Sequence, residues 1–413
     1  MSEYVIEKER KTKLNNSYQV VVCGGGIAGV SAALASSRNG AKTLLFDRSF
    51  MVGGLATSGI ISVYLPLCDG NGRQVSFGIA EELIRLSIKY GYEPCDYYHN
   101  GVGRYNPEWF ENGSDISKKK EKRFLIQFSP NVFAILMEKL LIENGVDILY
   151  GTTLVSAEVN EDRISSVIVE NKSGRTAYSA KNFIDTTGDA DLCYMANEQT
   201  DEFKQGNVVA GWYYYNGENG YVLNQIGACD IPDEFKTEEQ KKEKGYRFLG
   251  LDAEELSKVM VMSHHSTLEN FLKGGGINKN HALTMMSTIP QVRMTRKLVG
   301  EYSLDVSEDK KEFLDSVGMI SNWRSRGPIY EIPFRTLHGN KIKNLYTAGR
   351  SISVTESMWD LTRVIPACAV TGQAVGTASA MFNGYDQVDI EKLQSQLIKD
   401  GVKLHIKDLE PIE

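Results

Sequence analysis

The stretch from Tyr18 to Asp47, YQVVVCGGGIAGVSAALASSRNGAKTLLFD, constrains this 413-residue chain more than any other part of it. Residues 18–23 read as a short apolar strand. The pattern Gly24-x-Gly26-x-x-Gly29 breaks that strand, and a helical run rich in Ala and Ser follows from Ile27 to Asn39, with Gly40 as its stop. Thr43 to Phe46 reads as a second buried strand, ending at Asp47. Strand, tight turn, helix and strand within about 30 residues is the context that gives a glycine fingerprint for a dinucleotide its meaning. Gly24 permits the turn. Gly26 has no side chain, so backbone can approach a pyrophosphate, and Gly29 lets the helix lie close on the sheet. The helix N-terminus then offers N–H groups and partial positive charge to phosphates. Asp47 is placed to accept hydrogen bonds from a ribose diol, which favours an unphosphorylated adenosine ribose over NADP.

The rest of the chain supplies the context. After Asp47 comes RSFMVGGLATSG, in which Gly53-Gly54 lets backbone pass close to a cofactor. A helix is expected near 78–90. A polar, Tyr- and Asn-rich stretch over 91–120 leads to the charge run KKKEKR at 118–123, read as a solvated loop. Residues 129–144 predict a helix with Ser129 as N-cap, Pro130 in the first turn and Gly145 as stop. Strands follow at 146–150, 152–159, 163–170 and 176–185, a β-meander between two segments of the dinucleotide domain. The sequence DTTGDAD at 185–191 ends the last strand in Gly188. Residues 195–335 are irregular and aromatic, with Trp212 to Tyr215 adjacent, and read as a substrate-facing region. Leu345 to Ala348 predicts a strand ending at Gly349-Arg350, and a helix runs from about Ile365 to Phe382 with Pro366 in its first turn and Gly372 and Gly376 on a close-packing face. Residues 1–17 read as a surface arm or short helix, and 387–413 as a peripheral helix and strand.

Composition excludes several classes of function. A net charge of −7 argues against nucleic acid or an anionic membrane as partner. The six cysteines (23, 68, 95, 193, 229 and 368) form no close pair, so neither a zinc site nor a redox disulfide is expected, and a reducing cytoplasm fits. His264-His265 has no acid at metal spacing, so no metal is expected. The apolar stretch 19–35 belongs to the fingerprint and is not read as a membrane helix, and residues 1–17 do not resemble a signal peptide.

Three separated pieces line up: the fingerprint with Asp47, DTTGDAD, and the segment 345–382. Together they resemble the bacterial FAD-dependent oxidoreductases of the glutathione-reductase-like superfamily, over residues 18–60, 129–191 and 290–383. That group shows AGR-x-IS-x-x-H, then RV, then G-Q-A-x-GTA. Here the pieces read AGRSISVTE, Arg363-Val364 and GQAVGTA, with QVRMTRKLVGEY at 291–302 and YEIPFRTL at 330–337 also similar. The resemblance implies FAD as cofactor. Its AMP half would lie on Gly24, Gly26, Ile27, Ala28, Gly29 and Asp47, with Arg48 alongside. Gly53, Gly54, Leu55 and Thr57 would run along pyrophosphate and flavin, and Val155 would meet the adenine through its backbone. Gly188, Asp189, Gly349 and Arg350 would approach the ribityl chain and phosphates. The helix near Ile365 would aim its N-terminus at the flavin N1 and O2 edge, where reduced flavin carries negative charge. Two positions depart from the group: Glu356 stands where it has His, and Arg350 where many relatives have Asp.

The expected fold is therefore α/β. A discontinuous Rossmann-like FAD-binding domain (1–60, 125–195 and 340–413) carries an inserted β-meander, and a mixed α+β substrate or cap region spans 61–124 and 196–339. The expected activity is a dehydrogenase or reductase passing a hydride between flavin N5 and a small organic substrate. A flavin monooxygenase and a non-enzymatic dinucleotide-binding protein are the alternatives. Glu356, Asp360 and His338 are candidate acid–base groups, with Tyr330 as a donor. Arg293, Arg296, Arg335 and Arg363 are candidate carboxylate clamps. Glu356 and Arg363 are preferred because they flank the start of the flavin-facing helix. No second fingerprint exists for a nicotinamide, so the electron donor or acceptor stays open, as does a homo-oligomer.

Overall fold

The computed structural model describes residues 5, 7–91, 125–218, 220–227, 232–242 and 245–409. Its centre is a five-stranded sheet: β1 (Val20–Cys23), β2 (Thr43–Phe46), β3 (Asp147–Leu149), β4 (Asn182–Asp185) and β5 (Leu345–Thr347). The strands lie in the order β5-β4-β1-β2-β3 and every pairing is parallel, with Val22 opposite both Leu45 and Ile184. All residues of β1, β2, β4 and β5 are buried, as expected of short apolar strands covered on both faces.

Alternation along these strands sorts two cores. Val20, Val22, Leu45, Ile184 and Tyr346 face the helical layer. Val21, Cys23, Leu44, Phe46 and Phe183 pack on Ile164, Val167 and Val169 of the meander sheet. The helical layer is built on α1 (Ile27–Arg38) and on α3 (Ile365–Met381), which follows the short α2 (Glu356–Thr362). Both long helices are made of small residues and are buried on almost every face, so they can approach closely. Gly372 lies over the Ala28 carbonyl and Gly376 over that of Ala32, and the Ser36 hydroxyl donates to the Gly376 carbonyl at 3.0 Å.

The predicted meander differs first in that the expected strand at 146–150 is β3 of the parallel sheet, paired with β2, and not a strand of the meander. Second, residues 176–185 are not one strand: Gly174–Tyr178 closes the meander, and β4 belongs to the parallel sheet. Both halves alternate, so periodicity does not show the break. Buried Asn182 fixes it, donating to the carbonyls of Ser379 and Phe382 at the end of α3 (2.8 and 2.7 Å). The N-terminal arm is a strand at Lys13–Asn15, paired parallel with Gly174–Tyr178, which covers that sheet edge. The C-terminal segment keeps its helix, Ile390–Lys399, but among the described residues a single 3₁₀ turn at Ile406–Asp408 stands in place of the expected strand.

Residues 196–339 contribute a three-stranded antiparallel sheet with Gly211–Gly217 in the middle, backed by the helix Ala253–Leu272. Tyr213 and Tyr214 of the aromatic run are buried in it, and His264 and His265 lie on the helix. A hairpin, Ser316–Ser321 with Ile329–Pro333, packs on α3. The stretch 91–120 lies outside the described residues except for Gly91, and the charge run at 118–123 lies outside them entirely. No single helix among the described residues is long and apolar enough to cross a membrane.

Candidate active site

Strand order reverses at β1, and ligands of open parallel sheets bind in the crevice beyond the carboxyl ends at such a point. A cleft of about 990 Å³, counted out to its mouth, lies there. Its walls come from five stretches around the sheet and from the cap.

The first is the turn from β1 into α1. Gly24 adopts φ +111° and its carbonyl accepts the Thr186 hydroxyl at 2.7 Å. Gly26, Ile27 and Ala28 line the cleft. Gly26 is the N-cap of α1 and leaves it without a side-chain cap, so its first amides stay available to a ligand. Gly29 does not line the cleft; a Cβ there would stand 1.9 Å from the Gly24 carbonyl oxygen, so it sets the spacing of turn and helix.

The second segment follows β2. Asp47 accepts the amides of Gly25 and Ser49, each at 2.6 Å, and thereby ties this loop to the fingerprint. Arg48 and Ser49 line the cleft beside it. In the third segment Gly53 (φ +102°) donates its amide to the Gly25 carbonyl at 2.7 Å, and Gly54 and Leu55 continue the wall. Thr57 is buried beneath, its hydroxyl donating to the Val52 carbonyl at 2.6 Å, and it supports the loop from behind.

The fourth segment leaves β4. Thr186, Thr187, Gly188 and Asp189 line the cleft. Gly188 is crossed by Arg350: a Cβ there would lie 2.3 Å from its Nη2. Arg350 reaches Asp189 (3.3 Å) and donates to the carbonyls of Val292 (2.7 Å) and Arg293 (3.2 Å). It thus fastens the cap segment to the sheet. The fifth wall is Gly349 after β5, with Arg363, Ile365 and Cys368 around the start of α3. That helix also lacks a side-chain cap, and Pro366 occupies its first turn. Burial pushes the Cys368 thiol up to about 12, with Arg350 and Arg363 pulling the other way, so it is a neutral packing group.

Gly250, Leu256, Ile289, Pro290 and Val292 close the cleft from the cap. Sequence reasoning misses these five. The stretch 291–302 is the nearest signal, and neighbouring residues reach the cleft because Thr288 donates its amide to the Ser58 carbonyl at 2.9 Å.

Other candidates fall elsewhere. Val155 is outside the cleft lining but occupies a bulge: Leu154 pairs with Val169 and Ser156 with Ile168, so Val155 has no partner in the ladder. Glu356 begins α2 and accepts the Lys204 amide at 3.0 Å, without lining the cleft. Asp360 is buried and forms ion pairs with both Arg324 and Arg363. Burial alone would raise its carboxyl, but the two guanidinium groups outweigh that and hold it below the usual range. His338 is buried, stacked on Tyr385, and lines a separate pocket with Glu301 and Arg335. Tyr330 donates to the Val306 carbonyl, and Arg335 pairs with Asp315. Arg293 is buried over the Trp212 ring, and Arg296 donates to the Asp189 carbonyl and pairs with Asp191.

Asp191 yields a pH prediction. Its carboxyl rises from 3.8 to about 6, first through burial and then through Asp189 and Asp185, against Arg296 and Arg48. The folded state therefore binds the proton more tightly, so this group's contribution to stability falls as pH rises from about 4 to 6. The side chain is 38 % exposed, so solvent screens the effect. Melting curves of the wild type should lose stability across that window relative to Asp191→Asn; parallel pH profiles of the two would refute the assignment.

FAD fits this arrangement. Two uncapped helix N-termini open on one cleft, and a Cβ on Gly26 would meet nothing within 4 Å, so backbone is accessible there.

Comparison with known proteins agrees. The profile of the family described as FAD dependent oxidoreductase matches residues 19–209 and 251–397, most of the chain. A thioredoxin reductase of Ureaplasma parvum serovar 3 is 27% identical over 79 residues, 19% of this chain and about a quarter of that relative's length (26%). The structure of p-nitrophenol 4-monooxygenase PnpA from Pseudomonas putida DLL-E4 superposes with a TM-score of 0.50 at 11% identity, covering 94% of this chain and 84% of that one. At that identity the likeness shows a shared fold. A geranylgeranyl bacteriochlorophyll reductase-like protein from Thermoplasma acidophilum gives a TM-score of 0.45 at 12% identity, covering 96% and 86%. With most of its length matched, the chain belongs to the FAD dependent oxidoreductase family.

Proposed function

We propose that this FAD-dependent enzyme is a dehydrogenase or reductase that exchanges a hydride with a small organic molecule admitted between the sheet and the cap. The observation that carries this reading is the convergence of the uncapped N-terminus of α3 with the apolar cap wall of Ile289 and Pro290 on one cleft. FAD, when bound, supplies two-electron chemistry at its N5 position. The chain supplies the surroundings. The amides at the N-terminus of α1 and the loop at Gly53-Gly54 hold the phosphates, and the bulge at Val155 offers backbone groups to adenine. The N-terminus of α3, with Arg363 beside it, sets a positive potential at the redox end. Leu55, Ile289 and Pro290 keep water from that end. Within this reading Arg363 is the side chain that meets the substrate. Asp360 positions it, and Glu356 fastens residue 204 to α2. The proposed boundary between FAD-binding and cap regions runs through the Arg350 contacts to residues 292 and 293.

The test is anaerobic bleaching of the flavin band near 450 nm with a panel of hydroxy acids, amines and sugars, without a nicotinamide. Bleaching by one of them is the expected result. Reduction only by NADPH, with oxygen consumed in the presence of an aromatic substrate, would replace this reading with a monooxygenase.

A further inference from the structure

We propose that a second pocket, built around His338, takes a protonated primary amine carrying a short apolar chain. The pocket lies beside the edge strand β5 and shares no lining residue with the FAD cleft, so it stands apart from whatever substrate that cleft takes.

The pocket measures about 620 Å³, counted out to its mouth, and is bordered by the 3₁₀ turns Phe334–Thr336 and Tyr385–Gln387. His338 is 4 % exposed and lines it. A bridge to Tyr346 of β5 holds its backbone, and its ring stacks on that of Tyr385 at 4.1 Å and 10°. Its Nδ1 lies 2.9 Å from the Gly339 carbonyl. A carbonyl only accepts, so Nδ1 carries the hydrogen and Nε2 of the neutral ring offers a lone pair. Burial keeps the ring neutral: it outweighs the Gly339 carbonyl and the carboxylates of Glu301, Asp315 and Glu198, and holds the pKa below its ordinary value. Nε2 faces Glu301 Oε2 at 3.9 Å. Both atoms are acceptors, and neither makes a hydrogen bond among the described residues. Two acceptors at this separation are bridged by one nitrogen that donates an N–H to each at about 2.9 Å.

The surroundings ask for that nitrogen to be charged. Asp315 is paired with Arg335 (3.0 Å), and Asp386 with Arg163 (3.4 Å) and Lys343 (3.9 Å). Glu301, 52 % exposed, has neutral His338 as its neighbour and no Lys or Arg nitrogen within 4.0 Å among the described residues. An ammonium group satisfies the carboxylate and the lone pair together, through charge-assisted hydrogen bonds. A metal ion does not fit, because no three His, Cys, Asp or Glu side chains among the described residues converge to hold one. Phe334, Val388 and Ile390 supply an apolar wall beside these groups, so the ammonium that fits carries a short hydrocarbon chain.

The experiment is an NMR titration of the holoenzyme labelled with nitrogen-15 in its six histidines, at about pH 8, where an alkylammonium is charged and this imidazole is neutral. The probes are butylammonium, butyltrimethylammonium, which has the charge but no N–H, and 1-butanol, which has no charge. The His338 signals are those missing from His338→Phe. In the wild type they should show a hydrogen on Nδ1 and none on Nε2, and the Nε2 signal should move saturably with butylammonium. Butylammonium should bind at least tenfold more tightly than either other probe. Glu301→Gln should weaken it at least tenfold and leave the FAD content per chain unchanged. The Glu301 side chain is half exposed, so this arm holds even where His338→Phe does not fold. A hydrogen on Nε2, no saturable shift with butylammonium, equal affinity for butyltrimethylammonium, or full affinity in Glu301→Gln would each overturn the proposal.

Discussion

Gly26→Ala is expected to abolish FAD binding while leaving the apoprotein folded. Gly26 has φ −67°, a conformation that alanine adopts without strain, and a Cβ there meets no atom within 4 Å. Stability should change by no more than about 1 kcal/mol. The added methyl group, however, lines the mouth of the α1 N-terminus, where the proposed site brings a phosphate within hydrogen-bond distance of uncapped amides. Hydrogen bonds to a charged group are each worth about 1.5–3 kcal/mol. Losing two of them weakens binding on the order of a hundredfold or more. The ratio of flavin to protein absorbance after purification reads the effect, and a melting curve of the apoprotein reads the fold. A yellow Gly26→Ala protein with full flavin content would show that the pyrophosphate does not sit on this turn.

Gly376→Ala is expected to do the reverse and to damage the fold itself. A Cβ on Gly376 would stand 2.3 Å from the Ala32 carbonyl oxygen and 2.9 Å from the Ala32 Cα. Both are backbone atoms of α1, so no side chain can rotate away, and α1 and α3 must separate. That separation also stretches the Ser36 bond to the Gly376 carbonyl. Overpacking of this kind costs about 1–3 kcal/mol, and the α1–α3 seam underlies the whole sheet, so the upper end is expected. Denaturant unfolding of the apoprotein should show the midpoint lowered with an unchanged slope. A midpoint equal to that of the wild type would mean that the helices do not pack as closely as the Gly376 contacts require. The two variants add the same methyl group and should give opposite phenotypes. One adds it to open space at a ligand site, the other to a filled seam.

The Rossmann half is legible in the amino-acid sequence because its signals are local. The glycines of 24–29 act within one turn, and the apolar runs of β1, β2 and β5 have the length and burial of strands. Pro366 and the small residues after it mark a helix that must pack tightly. The cap wall is not legible in this way. Leu256 and Ile289 come from a helix and a loop with no shared pattern, and they meet only because Arg350 and Thr288 anchor that region to the sheet. As flanking residues of α3, Glu356 and Arg363 look equivalent in the sequence. The bend between α2 and α3 turns Arg363 into the cleft and leaves Glu356 on the Lys204 amide.

By itself, the sequence determined the dinucleotide turn, the buried parallel strands and the two small-residue helices, because each depends on backbone freedom and apolar periodicity within a dozen residues or so. Only the tertiary structure decided where Thr176–Asp185 breaks between two sheets, that Val155 stands out of its ladder, and that Asp360 joins Arg363 to Arg324. Those outcomes depend on which surfaces meet across long separations in the chain. Buried polar groups such as Asn182 and Asp360 choose their partners only once the surrounding layers have excluded water.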